Sequence, residues 1–306
     1  MPHLGTLGTK TQNTSASSVA ITLTAGAAVG STVLVGIIWE AGGGTGVPTV
    51  SAVTDSRSNS YSLTPDVTAG GATNTTVAGA VLRTRVTTAL QVGDTITVTI
   101  SGGTRSKWAM QADAFDDVNA STPLDKTQTT GNTAPSGTSL ATGSTATTTQ
   151  ANELVYAIFG FGSGRTVTVP GGWTGGAKVE TTAGASDRAL QVIHKYVAAT
   201  GAQQGTLTLS TSSTYTAAVA TFKSTPAVMD PYARVSQVKL TVPNPSDASF
   251  VLVSQVKLTT PQPAVGEVRV SQVKFTVPAG DSAPYTGLKV ARDGGWWNAG
   301  VSVLDN

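Results

Sequence analysis

The chain has 306 residues, a formal net charge of +2 and only 12% charged residues, with 34 glycines and no cysteine. Without a basic stripe, recognition of nucleic acid through phosphate neutralisation is not expected, and without cysteine there are no disulfides or thiolate metal sites. The length suits one large all-β domain with an appendage, and the Gly/Thr/Ser/Val-rich composition suits short strands and tight turns.

In chain order, the first residues, Met-Pro-His-Leu-Gly-Thr, lack a charged stretch followed by an apolar core, so no signal peptide is expected. Residues 1–17 read as an N-terminal arm, with His3 in a mobile terminus. Residues 33–39, Val-Leu-Val-Gly-Ile-Ile-Trp, form a near-continuous apolar run. That pattern predicts a central strand covered on both faces, far too short for a membrane span. Asp55 and Asn59 lie in a turn cluster, where both side chains cap local backbone. Strands follow at 77–86, 94–100 and 107–115. Residues 119–150 have little hydrophobic pattern and read as a long connection or exposed loop.

The order then recurs. Residues 154–159 match 33–38 at an offset of 121, while 192–197 match 81–86 and 206–209 match 95–98 at an offset of 111. Residues 218–222 follow the pattern of 111–115. Two quasi-repeats, 18–118 and 151–224, therefore predict one eight-stranded sandwich over 18–225, and the jelly roll is the natural candidate. No stretch shows sustained helical periodicity.

After residue 225 one phrase is written three times. Val-Ser-Gln-Val-Lys-Leu-Thr-Val-Pro starts at Val235 and returns with single changes at Val253 and Val270, 18 and then 17 residues apart. Each copy alternates apolar and polar residues, the period of a half-buried strand, and ends on proline. Val238, Leu240, Val242, Val256, Leu258, Val273, Phe275 and Val277 are the apolar positions expected to form an assembly interface. Three arrangements would cover them: a meander against the chain's own large domain, a stalk of three intertwined chains, or addition to the sheet edge of a partner. Residues 226–280 form this repeated-strand appendage. Residues 281–306 read as a terminal β-hairpin, with Asp293-Gly294-Gly295 as the turn between strands at 288–291 and 301–304. Adjacent Trp296 and Trp297 face opposite ways on a strand, so one of them is available to a partner.

Residues able to carry chemistry are sparse. Histidine occurs only as His3 and His194, which excludes histidine-pair metal sites of the usual spacing, and His194 reads as an exposed strand residue. No nucleophile elbow or phosphate loop is present. Asp113, Asp116, Asp117 and Asn119 could bind calcium or act as a carboxylate pair; a solvated strand end is the simpler reading. No catalytic residue, metal or cofactor is nominated, and the chain is not read as an enzyme. Trp39, Tyr61 and Trp173 are the candidate ligand-binding residues. A tryptophan beside a glycine cluster either stacks on a sugar ring or plugs the end of a sandwich.

The serial Val-Ser-Gln-Val-Lys-Leu-Thr-Val-Pro phrases, the ending Gly287-Leu288-Lys289-Val290 with Gly294-Gly295-Trp296, and Val53-Thr54-Asp55-Ser56 with Asn59 and Tyr61 resemble minor tail proteins of phages infecting actinobacteria. The resemblance implies a virion structural protein, in the tail tip, a fibre or another appendage, assembled in the host cytoplasm. It implies other virion proteins as partners and contact with the host surface, where a cell-wall glycan is the candidate ligand. From the residues themselves a homo-oligomer is expected, with a trimer favoured because a three-fold stalk removes the exposed edges of long strands, and neither nucleic-acid binding nor membrane insertion is expected. A capsid decoration protein or head fibre, and a cell-wall carbohydrate-binding module, are the competing readings.

Overall fold

The computed structural model describes residues 2–40, 49–62, 65–70, 77–101, 105–130, 135–182 and 187–225, and the backbone alone of 288–292 and 295–299. The chain divides into a unit Met1–Val228 and a unit Met229–Asn306. Every helix or strand among the described residues is a strand, and all pairings are antiparallel, so the chain is an all-β sandwich protein with internal duplication.

The first repeat contains β1 (His3–Gln12), β2 (Ser18–Thr22), β3 (Thr32–Trp39), β4 (Val50–Asp55), β5 (Val67–Ala69), β6 (Ala78–Arg85), β7 (Thr95–Ile100) and β8 (Trp108–Phe115). They make a long sheet, β1-β8-β3-β6-β5, and a short one, β2-β7-β4. The second repeat contains β9 (Leu124–Thr129), β10 (Ser136–Ala141), β11 (Glu153–Gly162), β12 (Val167–Thr168), β13 (Thr174–Gly175), β14 (Val179–Glu180), β15 (Arg188–Val197) and the 18-residue β16 (Thr206–Lys223). The second half of β16 pairs with β9 and β11, and β11 pairs with β15, which β13 and β14 flank. Its first half pairs with β10 and β12. This is the same strand order, with β16 standing for β7 and β8 together.

Three apolar cores separate four layers. One, with Ile21, Val35, Trp39, Leu82, Val98 and Trp108, fills the space between the two sheets of the first repeat. Another, with Phe159, Phe161, Ile193, Leu207, Leu209 and Val219, does so in the second. The third joins Leu34, Ile38, Val81 and Phe115 to Tyr156, Ile158, Leu190 and Phe222, packing the long sheets back to back. The duplication thus yields two stacked sandwiches in one unit rather than a single eight-stranded sandwich shared by both halves. Burial on both faces explains the unbroken apolar runs: every residue of β3, β8 and β11 is buried.

The seam between the long sheets is matched in shape. A Cβ on Gly36 would meet Ile158 Cγ2 at 2.9 Å, and one on Gly160 would meet Ile38 Cγ2 at 2.8 Å. Gly36 lies opposite Val81 and Gln111, and Ile158 opposite Val192 and Ala218. These ladders make Gly36 and Ile158 equivalent, an offset of 122, and make Ile38 equivalent to Gly160. At each position one repeat supplies the knob and the other the hole. The offset of 121 expected from sequence is one residue short, and in a strand such a slip exchanges the faces. A strand that is apolar on both sides shows no alternation to fix its register.

Two segments differ from their sequence-based reading. Residues 1–17 include β1, an edge strand paired with β8. Glycine and threonine dominate it and only Leu7 of its apolar residues enters the core, so its alternation is faint. Residues 119–150 contain β9 and β10, followed by a threonine strap. Thr142, Thr145 and Thr148 are buried, and their amides donate to the carbonyls of Gly205, Gln203 and Gly201 at 3.1, 2.8 and 3.1 Å. Each hydroxyl accepts the amide of the same partner residue, at 3.0, 2.9 and 3.2 Å. Successive links are three residues apart on the strap and two apart on its partner, and Gly143 between them has a φ of 80°, so the strap is not a regular β-ladder.

In the second unit, β17 (Leu288–Arg292) and β18 (Gly295–Ala299) form an antiparallel hairpin with Val290 opposite Trp297 and Ala291 opposite Trp296. The return strand starts at Gly295 and not at residue 301, because Asp293-Gly294 suits a two-residue hairpin connection. Trp296 and Trp297 occupy consecutive positions of β18. The three repeated phrases, with Val238, Leu240, Val242, Val256, Leu258, Val273, Phe275 and Val277, lie outside the described residues.

Candidate functional site

The three nominated aromatics are not brought together. Trp39 ends β3 and is fully buried, its ring 6.1 Å from that of Trp108. Tyr61 is buried in the same core, and desolvation, with Asp55 close by, pushes its hydroxyl pKa well up. Neither presents a face to a sugar, because an aromatic at the end of a doubly covered strand is drawn into the apolar layer. Trp173 is half-buried at the flank of the second outer core, with Lys195 Nζ 4.7 Å from its ring centroid. That ring is already engaged by a cation.

The Asp55–Asn59 segment is a turn staple, as its residue types suggest. Asp55 Oδ1 accepts the amides of Arg57 and Asn59, at 2.8 and 3.1 Å. Asn59 Oδ1 accepts the amides of Thr87 and Thr88, both at 2.8 Å, and its Nδ2 donates to Asp55 and to the Thr88 carbonyl. One buried amide side chain therefore ties two loops together.

The Asp113–Asn119 group is dispersed. Asp116 caps the amide of Asp117, and Asn119 accepts the amides of Ser121 and Thr122. Asp113 points instead into the seam between the sandwiches. Among the described residues no group of three or more His, Asp or Glu is arranged to hold a metal ion.

Around Asp113 lies the densest polar cluster between the repeats. Asp113 accepts from Thr6 Oγ1 at 2.7 Å, from Gln111 Nε2 at 2.9 Å and from Tyr156 Oη at 3.0 Å. His3 Nε2 stands 3.5 Å from it, and the His3 ring lies 4.4 Å from that of His194. His194 is buried and meets Phe115 edge-on, contrary to the exposed position expected, and His3 is held in β1 and not in a mobile terminus. Desolvation, reinforced by His3 and opposed by Asp113, lowers the His194 pKa to about 4. Three neutral donors from three strands converge on this one carboxyl group, so the cluster's evident work is to tie β1, β8 and β11 together. The signal missed in the sequence is the pair Gln111 and Asp113, two residues apart in an otherwise apolar strand.

An open cleft of about 530 Å³ lies beside the second outer core, lined by Arg165, Lys178, Glu180, Val167, Val169 and Gln191 among others. Its charges are turned inward. Lys178 Nζ reaches Glu180 at 2.9 Å and the Arg165 carbonyl at 2.8 Å, while Arg165 donates to the carbonyls of Ser212 and Ser163. Burial works against ionisation of Glu180, but Lys178 and the Gly164 amide outweigh it and hold the carboxyl below its ordinary value. The cleft is a braced loop edge more than a ligand cradle.

Comparison of the chain with protein-family models, with curated proteins and with solved structures returns no match.

Proposed function

We propose that this chain is a structural component of a phage virion, a minor tail, tail-tip or fibre protein that assembles through the strands after residue 225. The observation that carries the reading is the thrice-written Val-Ser-Gln-Val-Lys-Leu-Thr-Val-Pro phrase, whose apolar faces need a protein partner. The first unit fits this role as a rigid head: its conspicuous polar clusters at Asp113, Asn59 and the threonine strap are spent on fastening strands and loops to one another. A three-chain stalk is the favoured assembly, because it removes the exposed edges of long strands. Burial of Trp39 and Tyr61 counts against a sugar-stacking platform built on the nominated aromatics.

Electron microscopy of purified particles labelled at the C-terminus of this chain tests the reading. Label at the tail or its appendages is the expected result; label on the shell supports the decoration or head-fibre alternative, and particles without the chain overturn the proposal. Mass measurement of the full chain tests the trimer, and a monomer retaining its whole β-signal after loss of residues 226–306 contradicts an obligate stalk.

A further inference from the structure

The end of β16 leaves the first unit through a clasp. The Lys223 amide donates to the Pro123 carbonyl at 2.7 Å, and the Lys223 carbonyl accepts the Asn119 amide at 2.9 Å. The amides of Ser224 and Thr225 donate to the carbonyls of Asn152 and Asp117, at 3.2 and 2.8 Å. Two connections, the one between β8 and β9 and the turn before β11, thus grip the residues that lead into the repeated phrases.

Two carboxyl groups are buried beneath this clasp. Asp125, on β9, has a side chain only 2% exposed; it accepts the Thr149 amide and hydroxyl, both at 2.5 Å, and faces Lys126 and Lys223 at 3.7 and 3.5 Å. Glu153, at the start of β11, is fully buried, and neither of its oxygens has a regular hydrogen-bond partner. Around it β16 contributes Thr221 and Lys223, β9 contributes Asp125, and β15 sets Val197 opposite in the ladder. A buried carboxylate without donors is strongly disfavoured, whereas a carboxylic acid can donate its proton to the neighbouring carboxylate.

We propose that Glu153 and Asp125 form a proton-sharing pair that closes the clasp at residues 223–225 while Glu153 holds its proton and loosens it when that proton leaves. The pair then makes the root of the C-terminal appendage sensitive to pH near neutrality. The electrostatics agree. Burial, with Asp125 adding to it and Thr221 and Lys223 opposing, raises Glu153 to about 7. Burial also opposes ionisation of Asp125, but Thr149, Glu153 and Lys126 outweigh it and hold that carboxyl at about 2. Because the folded-state value of Glu153 lies above its unfolded value, the stabilisation is complete below the ordinary carboxyl range and is lost as pH rises through 7. The inference rests on the geometry of the clasp and stands apart from the virion reading.

Amide exchange in the full chain, corrected for intrinsic rates, tests it. Protection of Ser224 and Thr225 should fall about tenfold or more between pH 6 and pH 8.5, while Glu153→Gln, which donates without titrating, should stay flat. Carbon-detected titration of the Glu153 carboxyl in the unsubstituted chain should show a midpoint near 7, moving down in Asp125→Asn. A midpoint below about 5, or parallel profiles in the chain and Glu153→Gln, would overturn the proposal.

Discussion

In the first repeat β7 and β8 are separate strands; in the second their counterparts run on as the single strand β16, which crosses from one sheet to the other. The two repeats therefore satisfy the backbone at this corner differently. The first needs a connection in which Lys107 adopts a φ of 57°. The second keeps the chain extended and lets the buried Ser213 hydroxyl accept the Gly162 amide at 2.9 Å. Turn chemistry diverges in the same way: the first repeat ties its loops with Asn59, the second with the threonine strap. At the seam the divergence is complementary, since Gly36 and Ile38 of one repeat face Ile158 and Gly160 of the other. Duplication has preserved strand order and combined volume while letting residue identity and polar fastening drift.

The seam offers the largest expected effect. Gly160→Val should cost about 3 kcal/mol or more, because the added side chain meets Ile38 with no room to relax, and Ile38→Ala in the same chain should restore part of that loss in urea unfolding. Gly171→Ala, with nothing within 4 Å of the new methyl, should change stability by less than about 0.5 kcal/mol. Equal losses at the two glycines would break the contrast between seam and surface.

The next largest effect concerns acid. His194 is buried neutral with its pKa lowered to about 4, so its contribution is present above its unfolded value near 6.5 and is lost as pH falls through 4. The unsubstituted chain should lose about 2–3 kcal/mol across that window relative to His194→Gln, read from denaturant midpoints. Asn59→Ala should cost about 2 kcal/mol at every pH, because several backbone groups of both loops lose their partner. Thr145→Val should cost about 1 kcal/mol, since it removes one link of a three-link strap and leaves the others. A strap substitution costing more than Asn59→Ala would reverse the ranking of the two fastenings.

Much of this architecture is legible in the sequence because it rests on apolar runs. The unbroken run 33–39 announces a strand covered on both faces, and 154–159 announces its counterpart. The same runs hide which residues face which core, so the register of the repeats comes out one residue off. Trp39 looks like a recognition residue beside glycines, yet an indole at the end of such a strand has an apolar layer to enter. The polar edge strands β1, β9 and β10 escape notice because their threonines and glycines serve hydrogen bonding more than burial. The Asp113 cluster is invisible for another reason: Thr6, Asp113, Tyr156 and His194 come from four strands that only the stacking of the two repeats brings together. Glu153 is hidden similarly, since a lone glutamate before an apolar run looks like a solvated strand start.

Residue-resolved amide exchange across a series of denaturant concentrations tests the stacked four-layer body most directly. The amides of β3 and β11, the central strands of the two long sheets, should exchange with one common opening free energy, because neither sheet keeps its inner face covered alone. A difference of more than about 2 kcal/mol between the two strands would show two sandwiches that open independently and would contradict the shared inner core.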